Sequence, residues 1–170
     1  SCSTRPMRGR SVVVLLAVLA AVVLSSCGTG TFDAHYRVGV ADGVTGVPVS
    51  MFDSTMGDTQ DWAERTLGIA SPAHPYEATI TAVETRMVTD SGPSPTLSAG
   101  LYLPTLHTEG WYVVAFTPQD GVEQDVSATF VPWDPPGTPQ PPLPLRVRAT
   151  AEDSAWTVEI SLPASVPATP

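Results

Sequence analysis

The stretch LSAGLYLPTLHTEGWYVVAF, residues 97–116, contains the strongest hairpin signal in this chain. Its first half, 97–106, is mostly apolar, and its last six residues, WYVVAF, are almost all aromatic or β-branched types that favour strands. The intervening HTEG combines polar residues with a glycine, as tight turns do. The stretch therefore predicts two antiparallel strands joined as a β-hairpin.

Further strands are predicted on both sides of this hairpin. They cover residues 35–40, 47–52, 76–88, 126–131, 145–150 and 156–162. We expect the first two to form a hairpin, because Gly43 and Gly46 between them can adopt positive φ. The last two must pack back on the rest of the sheet, since two strands alone are marginal in water.

One short helix is predicted between the second and third of these strands. The segment DTQDWAERTLG, residues 58–68, opens with residues that cap a helix N-terminus and closes on a glycine. Its spacing predicts that Trp62, Ala63 and Leu67 pack on the body of the domain.

Many short strands with a single helix predict an all-β domain over residues 35–162. The specific expectation is an antiparallel β-sandwich of the immunoglobulin-like kind, with the short helix inserted. The proline-rich stretch 134–142 cannot pair in a sheet and is expected to be an extended connection. Residues 163–170 are expected to be a disordered tail.

The N-terminal region has the three parts of a signal peptide. Basic residues between Arg5 and Arg10 precede the apolar run Val12–Leu24, and the small residues Ser25 and Ser26 follow it. A transmembrane helix needs roughly 20 apolar residues, whereas this run has 13. We therefore expect residues 1–26 to be a helical signal peptide.

The end of that run, Leu24-Ser25-Ser26-Cys27, resembles the lipobox of bacterial lipoproteins, of the type found in high-GC Gram-positive bacteria. The resemblance implies diacylglycerol on the Cys27 thiol, cleavage before Cys27, and a palmitate-type acyl chain on the new amino group. It also implies export and anchoring to the outer face of the cytoplasmic membrane. Residues 27–34 are then expected to be a tether.

Charge limits the partners of the exported part. Seventeen acidic and five basic side chains follow Cys27, for a net charge of −12, and the chain has no Lys. Binding to nucleic acid needs clustered cations, so this class of partner is excluded. A basic partner remains compatible with the composition.

Motifs for catalysis are absent from the sequence. Neither Gly-x-Ser-x-Gly nor His-Glu-x-x-His occurs, and no Lys exists for a Schiff base. The three histidines, His35, His74 and His107, fall in separate stretches beside turns or strand ends. We therefore expect a non-enzymatic domain without a cofactor.

Copper handling in the envelope is the alternative function. The three histidines, with Met51 and Met56, are ligand types that select copper. Against this, a strand would place Met51 and Met56 on opposite faces, and Met51 suits a core position. No metal ligands are therefore assigned from the sequence.

The segments Gly100-Leu101-Tyr102 and Glu109-Gly110-Trp111 are similar to recurring strand segments in small exported immunoglobulin-like domains of the YtkA and FixH kind. This resemblance implies the same sandwich fold.

Four tryptophans complete the candidate residues. Trp111 and Trp156 each open a strand and are predicted to be core residues. Trp62 on the helix and Trp133 at the start of the proline-rich connection are candidate contacts for a protein or glycan partner. The leading expectation is a lipid-anchored binding or scaffolding domain.

Overall fold

The computed structural model describes residues 29–85, 88–89, 92–93, 96–153 and 155–169. Within these ranges the chain forms eleven strands and one helix, so the predicted all-β class is confirmed. In chain order the elements are β1 (Thr29–Gly39), β2 (Val47–Phe52), α1 (Thr59–Arg65), β3 (Gly68–Ala70), β4 (Tyr76–Thr85), β5 (Val88–Thr89), β6 (Gly92–Pro93), β7 (Leu97–Tyr102), β8 (Gly110–Phe116), β9 (Glu123–Pro132), β10 (Leu143–Ala151) and β11 (Ala155–Ser161). None of the described residues belongs to a helix that is long and apolar enough to cross a membrane.

Nine of the strands form one mixed sheet. Its order is β3-β2-β7-β8-β9-β10-β11-β1-β4, and β5 and β6 form a separate two-stranded ribbon. Neighbours in the large sheet are antiparallel except for β1 and β11, which run parallel. The architecture is therefore one continuous sheet, and the two separate sheets of an immunoglobulin-like sandwich are not confirmed.

Two strands change partners along their length and so turn the sheet back on itself. In β9, residues 123–128 pair with β10, whereas residues 129–132 pair with β8. In β2, residues 47–49 pair with β3, whereas residues 50–52 pair with β7. Strands that switch partners in this way make the corners of orthogonally packed sheets.

The edge strands of this sheet approach each other, and Tyr76 on β4 joins them. The Tyr76 hydroxyl accepts a hydrogen bond from the Met51 amide on β2 at 3.3 Å. It donates one to the Thr66 carbonyl, just after α1, at 3.1 Å. Because β4 also contacts β3, the sheet is nearly closed.

The main core fills the inside of this nearly closed sheet. Strand β10 shows why, because Leu143, Leu145, Val147 and Ala149 are buried while the residues between them are exposed. The same alternation on the other strands supplies the rest of the cluster, including Tyr36 on β1 and Ile160 on β11. Burial raises the pKa of the Tyr36 hydroxyl above its usual range.

The predicted hairpin of β7 and β8 is confirmed. β8 also pairs with β9, and β10 pairs with β11, so these strands follow their neighbours in the chain. The predicted hairpin between β1 and β2 does not form, because β1 lies between β11 and β4. Every residue of β2 is buried, and this strand lies between β3 and β7 instead. Gly43 and Gly46 do have positive φ, at 87° and 156°.

Both predicted ends of the domain need correction. Residues 29–34, expected in the tether, belong to β1, since Phe32 and Ala34 continue the buried side of that strand. Residues 163–169, expected in a disordered tail, pack on the body: Val166 is buried, and the Thr169 amide donates to the Gly46 carbonyl at 2.8 Å. The signal peptide 1–26 and Cys27 lie outside the described residues.

Candidate functional site

A second apolar cluster lies on the outer face of strands β2, β7, β8 and β9. The alternation that points Leu101 and Tyr112 into the main core points Tyr102 and Trp111 outward. Phe52 joins them, and Ala63 of α1 covers them, so all four side chains are buried. We call this group, with Trp133 at its border, the outer aromatic cluster.

Gly100 is required for the packing of this cluster. Phe52 on β2 pairs with Gly100 on β7, and the Phe52 ring lies over the glycine. A Cβ atom at position 100 would overlap the ring at three carbon atoms. The ring is therefore free to meet Trp111, with the two centroids 5.2 Å apart and the planes inclined at 59°.

Trp133 is held rigidly at the border of the cluster. Its indole Nε1–H donates to the Thr108 carbonyl at 3.1 Å, and its backbone N–H donates to the Glu109 carbonyl at 2.9 Å. Its ring stacks on Trp111 with 6.2 Å between centroids, and it meets Tyr102 edge to face at 5.6 Å. The start of the proline-rich connection is thereby fixed against the sheet.

Helix α1 is fixed over the same face. Thr66, at its C-terminal end, donates from its hydroxyl to the Trp62 carbonyl at 2.8 Å and lies 2.6 Å from the hydroxyl of buried Ser50 on β2. Burial, and then the negative charge of Glu64 on the helix, raises the pKa of the Tyr102 hydroxyl. The helix therefore covers Tyr102 with an acidic side chain nearby.

The helix and the connection border a shared shallow depression of about 280 Å³. It is lined by Gly57, Asp58, Thr59, Gln60, Asp61 and Trp133. The two segments that the sequence suggested for partner contact thus lie on one face. Trp62 is the next residue of α1 after Asp61. Within the described residues, its ring pairs with no other aromatic ring.

Most of the exposed large apolar side chains occur in the part of the sequence that lines this depression or flanks it. Among the described residues five large hydrophobic side chains are 38% to 55% exposed, and four of them fall between residues 56 and 69. These four are Met56, Trp62, Leu67 and Ile69; the fifth is Val122. We call residues 56–69 the exposed apolar segment.

This exposure corrects the predicted packing of the helix. Ala63 is buried as expected, but Trp62 and Leu67 are exposed. The helix ends at Arg65, so Leu67 lies beyond the last turn and does not share the face of Ala63. Within the helix only Ala63 is buried, and Trp62 is 39% exposed.

The candidate metal ligands lie on different elements. His35, on β1, is 2.9 Å from the Thr79 hydroxyl, His74 lies in the turn before β4, and His107 lies 3.5 Å from Glu109 in the β7–β8 loop. Met51 is buried in the main core, whereas Met56 is exposed. In the part of the chain that the structure describes, no three His, Cys, Asp or Glu side chains form a group suited to a metal ion.

The prediction that Trp111 is a core residue is confirmed, because it is buried in the outer aromatic cluster. Trp156, also predicted to be a core residue, is partly buried against the main core. Sequence reasoning missed Phe52 and Tyr102 as members of the outer aromatic cluster. The available signal was Gly100 in an otherwise apolar strand, because a glycine there often marks a close approach by another group.

No protein-family model, curated protein or solved structure matches this chain.

Proposed function

We propose that this chain is an exported protein anchored by lipid on Cys27 to the outer face of the cytoplasmic membrane, and that its β domain binds another envelope molecule rather than catalysing a reaction. The binding function rests on one observation. Helix α1 and the start of the proline-rich connection, neither of which belongs to the nine-stranded sheet, share one face around Trp133.

The anchor is supported by the order of basic, apolar and small residues before Cys27. The first described strand begins at Thr29, two residues after Cys27. Two residues span at most about 7 Å. A lipid on Cys27 would therefore hold the first end of β1 close to the membrane surface.

The binding role is supported by the rigidity and chemistry of the shared face. Aromatic side chains held in one orientation provide contact area at little entropic cost, and they are enriched at the centres of protein interfaces. Trp133 is oriented by two hydrogen bonds and two ring contacts. Trp62 adds an exposed indole on the adjacent helix. Such a surface supports a partner that is a protein or a glycan.

The anchor is tested by mass spectrometry of the N-terminal peptide. We expect wild-type protein to carry diacylglycerol on Cys27 and to partition into detergent, and Cys27→Ala to do neither. Recovery of wild-type protein with an unmodified Cys27 thiol would refute the anchor.

The contact is tested by photo-crosslinking in intact cells. A crosslinking amino acid replaces Trp62 in one full-length protein and Val122, which is exposed elsewhere, in a control. We expect a discrete adduct from position 62 only. Equal labelling at both positions, or none at 62, contradicts a contact at this face. Copper binding by wild-type protein that disappears when His35, His74 and His107 are all replaced by Gln would favour metal handling instead.

A further inference from the structure

We propose that the exposed apolar segment, residues 56–69, binds a basic amphipathic segment of a protein partner. This inference rests on the proposed contact function and specifies the class of its partner. The expected partner segment presents apolar side chains flanked by Arg or Lys.

The segment is rich in exposed apolar side chains. Four of the five exposed large hydrophobic residues in the described ranges occur in this one segment. Single exposed apolar residues scattered over a surface are normal, whereas these four follow one another within 14 residues of the chain. Trp62 is the residue type that contributes most at such surfaces.

The charged residues of the same segment are mostly acidic. Asp58, Asp61 and Glu64 are exposed within the same segment, and Arg65 is its one basic residue. The chain after Cys27 has a net charge of −12, so distant charges add to the negative potential. Complementary potentials speed encounter and select the partner, which favours a basic segment.

The position of the segment relative to the anchor argues for a protein rather than the bilayer. The ladder between β1 and β4 runs from the pair Thr29 and Thr85 to the pair Val38 and Tyr76. At roughly 3.3 Å per residue, these pairs are about 30 Å apart. Tyr76 contacts the Thr66 carbonyl and lies against Gly68. The segment is therefore at the opposite end of the ladder from the lipid, and its carboxylates would be repelled by anionic headgroups.

The test uses the full-length lipidated protein in nanodiscs of neutral phosphatidylcholine. The probes are two dye-labelled amphipathic peptides of the same apolar pattern, one of Leu and Lys and the other of Leu and Glu. Empty nanodiscs correct for binding to lipid. We expect the Leu/Lys peptide to bind at least about tenfold more tightly than the Leu/Glu peptide, and its affinity to fall as salt rises.

Matched variants locate the binding. We expect Trp62→Ser and Leu67→Ser each to weaken the Leu/Lys peptide severalfold, and Val122→Ser to leave its affinity unchanged. Because these side chains are exposed, thermal unfolding of all three variants should match wild type. Equal binding of both peptides, insensitivity to Trp62→Ser, or preferential binding of free anionic vesicles would overturn the inference.

The two proposals fail separately. If position 62 gives an adduct in cells but the Leu/Lys peptide binds no more tightly than the Leu/Glu peptide, the claim that the partner is basic is overturned. The proposed contact function then still stands. Selective peptide binding that needs Trp62, without an adduct in cells, supports this surface and refutes its use in the proposed function.

Discussion

Replacing Tyr76 with Phe tests whether one hydroxyl joins the two edges of the sheet. The change removes a single oxygen atom and keeps the ring that lies against Gly68. It breaks the hydrogen bonds to the Met51 amide at 3.3 Å and to the Thr66 carbonyl at 3.1 Å. Met51 belongs to β2, and Thr66 follows α1 directly. The loss therefore falls where the two ends of the sheet meet, a contact that we call the seam.

The expected cost follows from these two bonds. A net contribution of about 0.5–1.5 kcal/mol for each gives a loss of roughly 1–3 kcal/mol in the free energy of unfolding. For a domain of this size, that loss lowers the melting temperature by roughly 3–10 °C. The amide of Met51 should also exchange with solvent faster, since it loses its acceptor.

The assay is urea denaturation followed by Trp fluorescence, with amide hydrogen exchange on the same samples. Tyr102→Phe is the matched control, because no hydrogen bond joins its hydroxyl to another group within the described ranges. We expect Tyr102→Phe to change stability by less than Tyr76→Phe. Equal stability of the two variants, with unchanged exchange at Met51, would refute the claim that the Tyr76 hydroxyl stabilises the seam.

Three further predictions concern other parts of the fold. Gly100→Ala places a Cβ atom 2.3 to 2.7 Å from three carbon atoms of the Phe52 ring and should lower stability by about 1–3 kcal/mol. Part of that loss should be absent when Phe52→Leu is already in place, and strict additivity of the two changes would contradict the overlap. Truncation after Leu162 removes buried Val166 and the bond from Thr169 to Gly46, so its denaturation midpoint should fall, and an unchanged midpoint would mean that residues 163–169 do not stabilise the domain. Burial raises the pKa of Tyr36, so above about pH 10 the unfolded chain releases a proton that the folded chain keeps; stability should therefore fall with rising pH there, and less steeply in Tyr36→Phe.

In the exposed apolar segment, the sequence predicted the position of the helix but not the packing of its side chains. The helix itself was predicted within one residue at its start, because capping residues and spacing are local signals. Which of its side chains packed was not predicted, since that depends on the surface beneath. Phe52 and Tyr102 fill the outer face of β2 and β7, and Ala63 is the helix residue that is buried against them.

The sequence predicted the all-β class and the pairing of some strands that are neighbours in the chain, although not of β1 with β2. Strand pairs such as β7 with β8 need only a periodic pattern and a short turn, and both are present in a single stretch of residues. The same local signals placed the unpaired proline-rich connection between β9 and β10.

The pairing of strands that are distant in the chain could not be predicted from the sequence. β1 has the alternation of any half-buried strand, and that pattern does not state whether β2, β4 or β11 lies beside it. The same holds for the tail, where Val166 is buried by a surface assembled from distant segments. The seam at Tyr76 and the stacking of Trp133 on Trp111 likewise exist only once the sheet has turned back on itself. Their physical basis is long-range packing, which the order of residues along one strand does not contain.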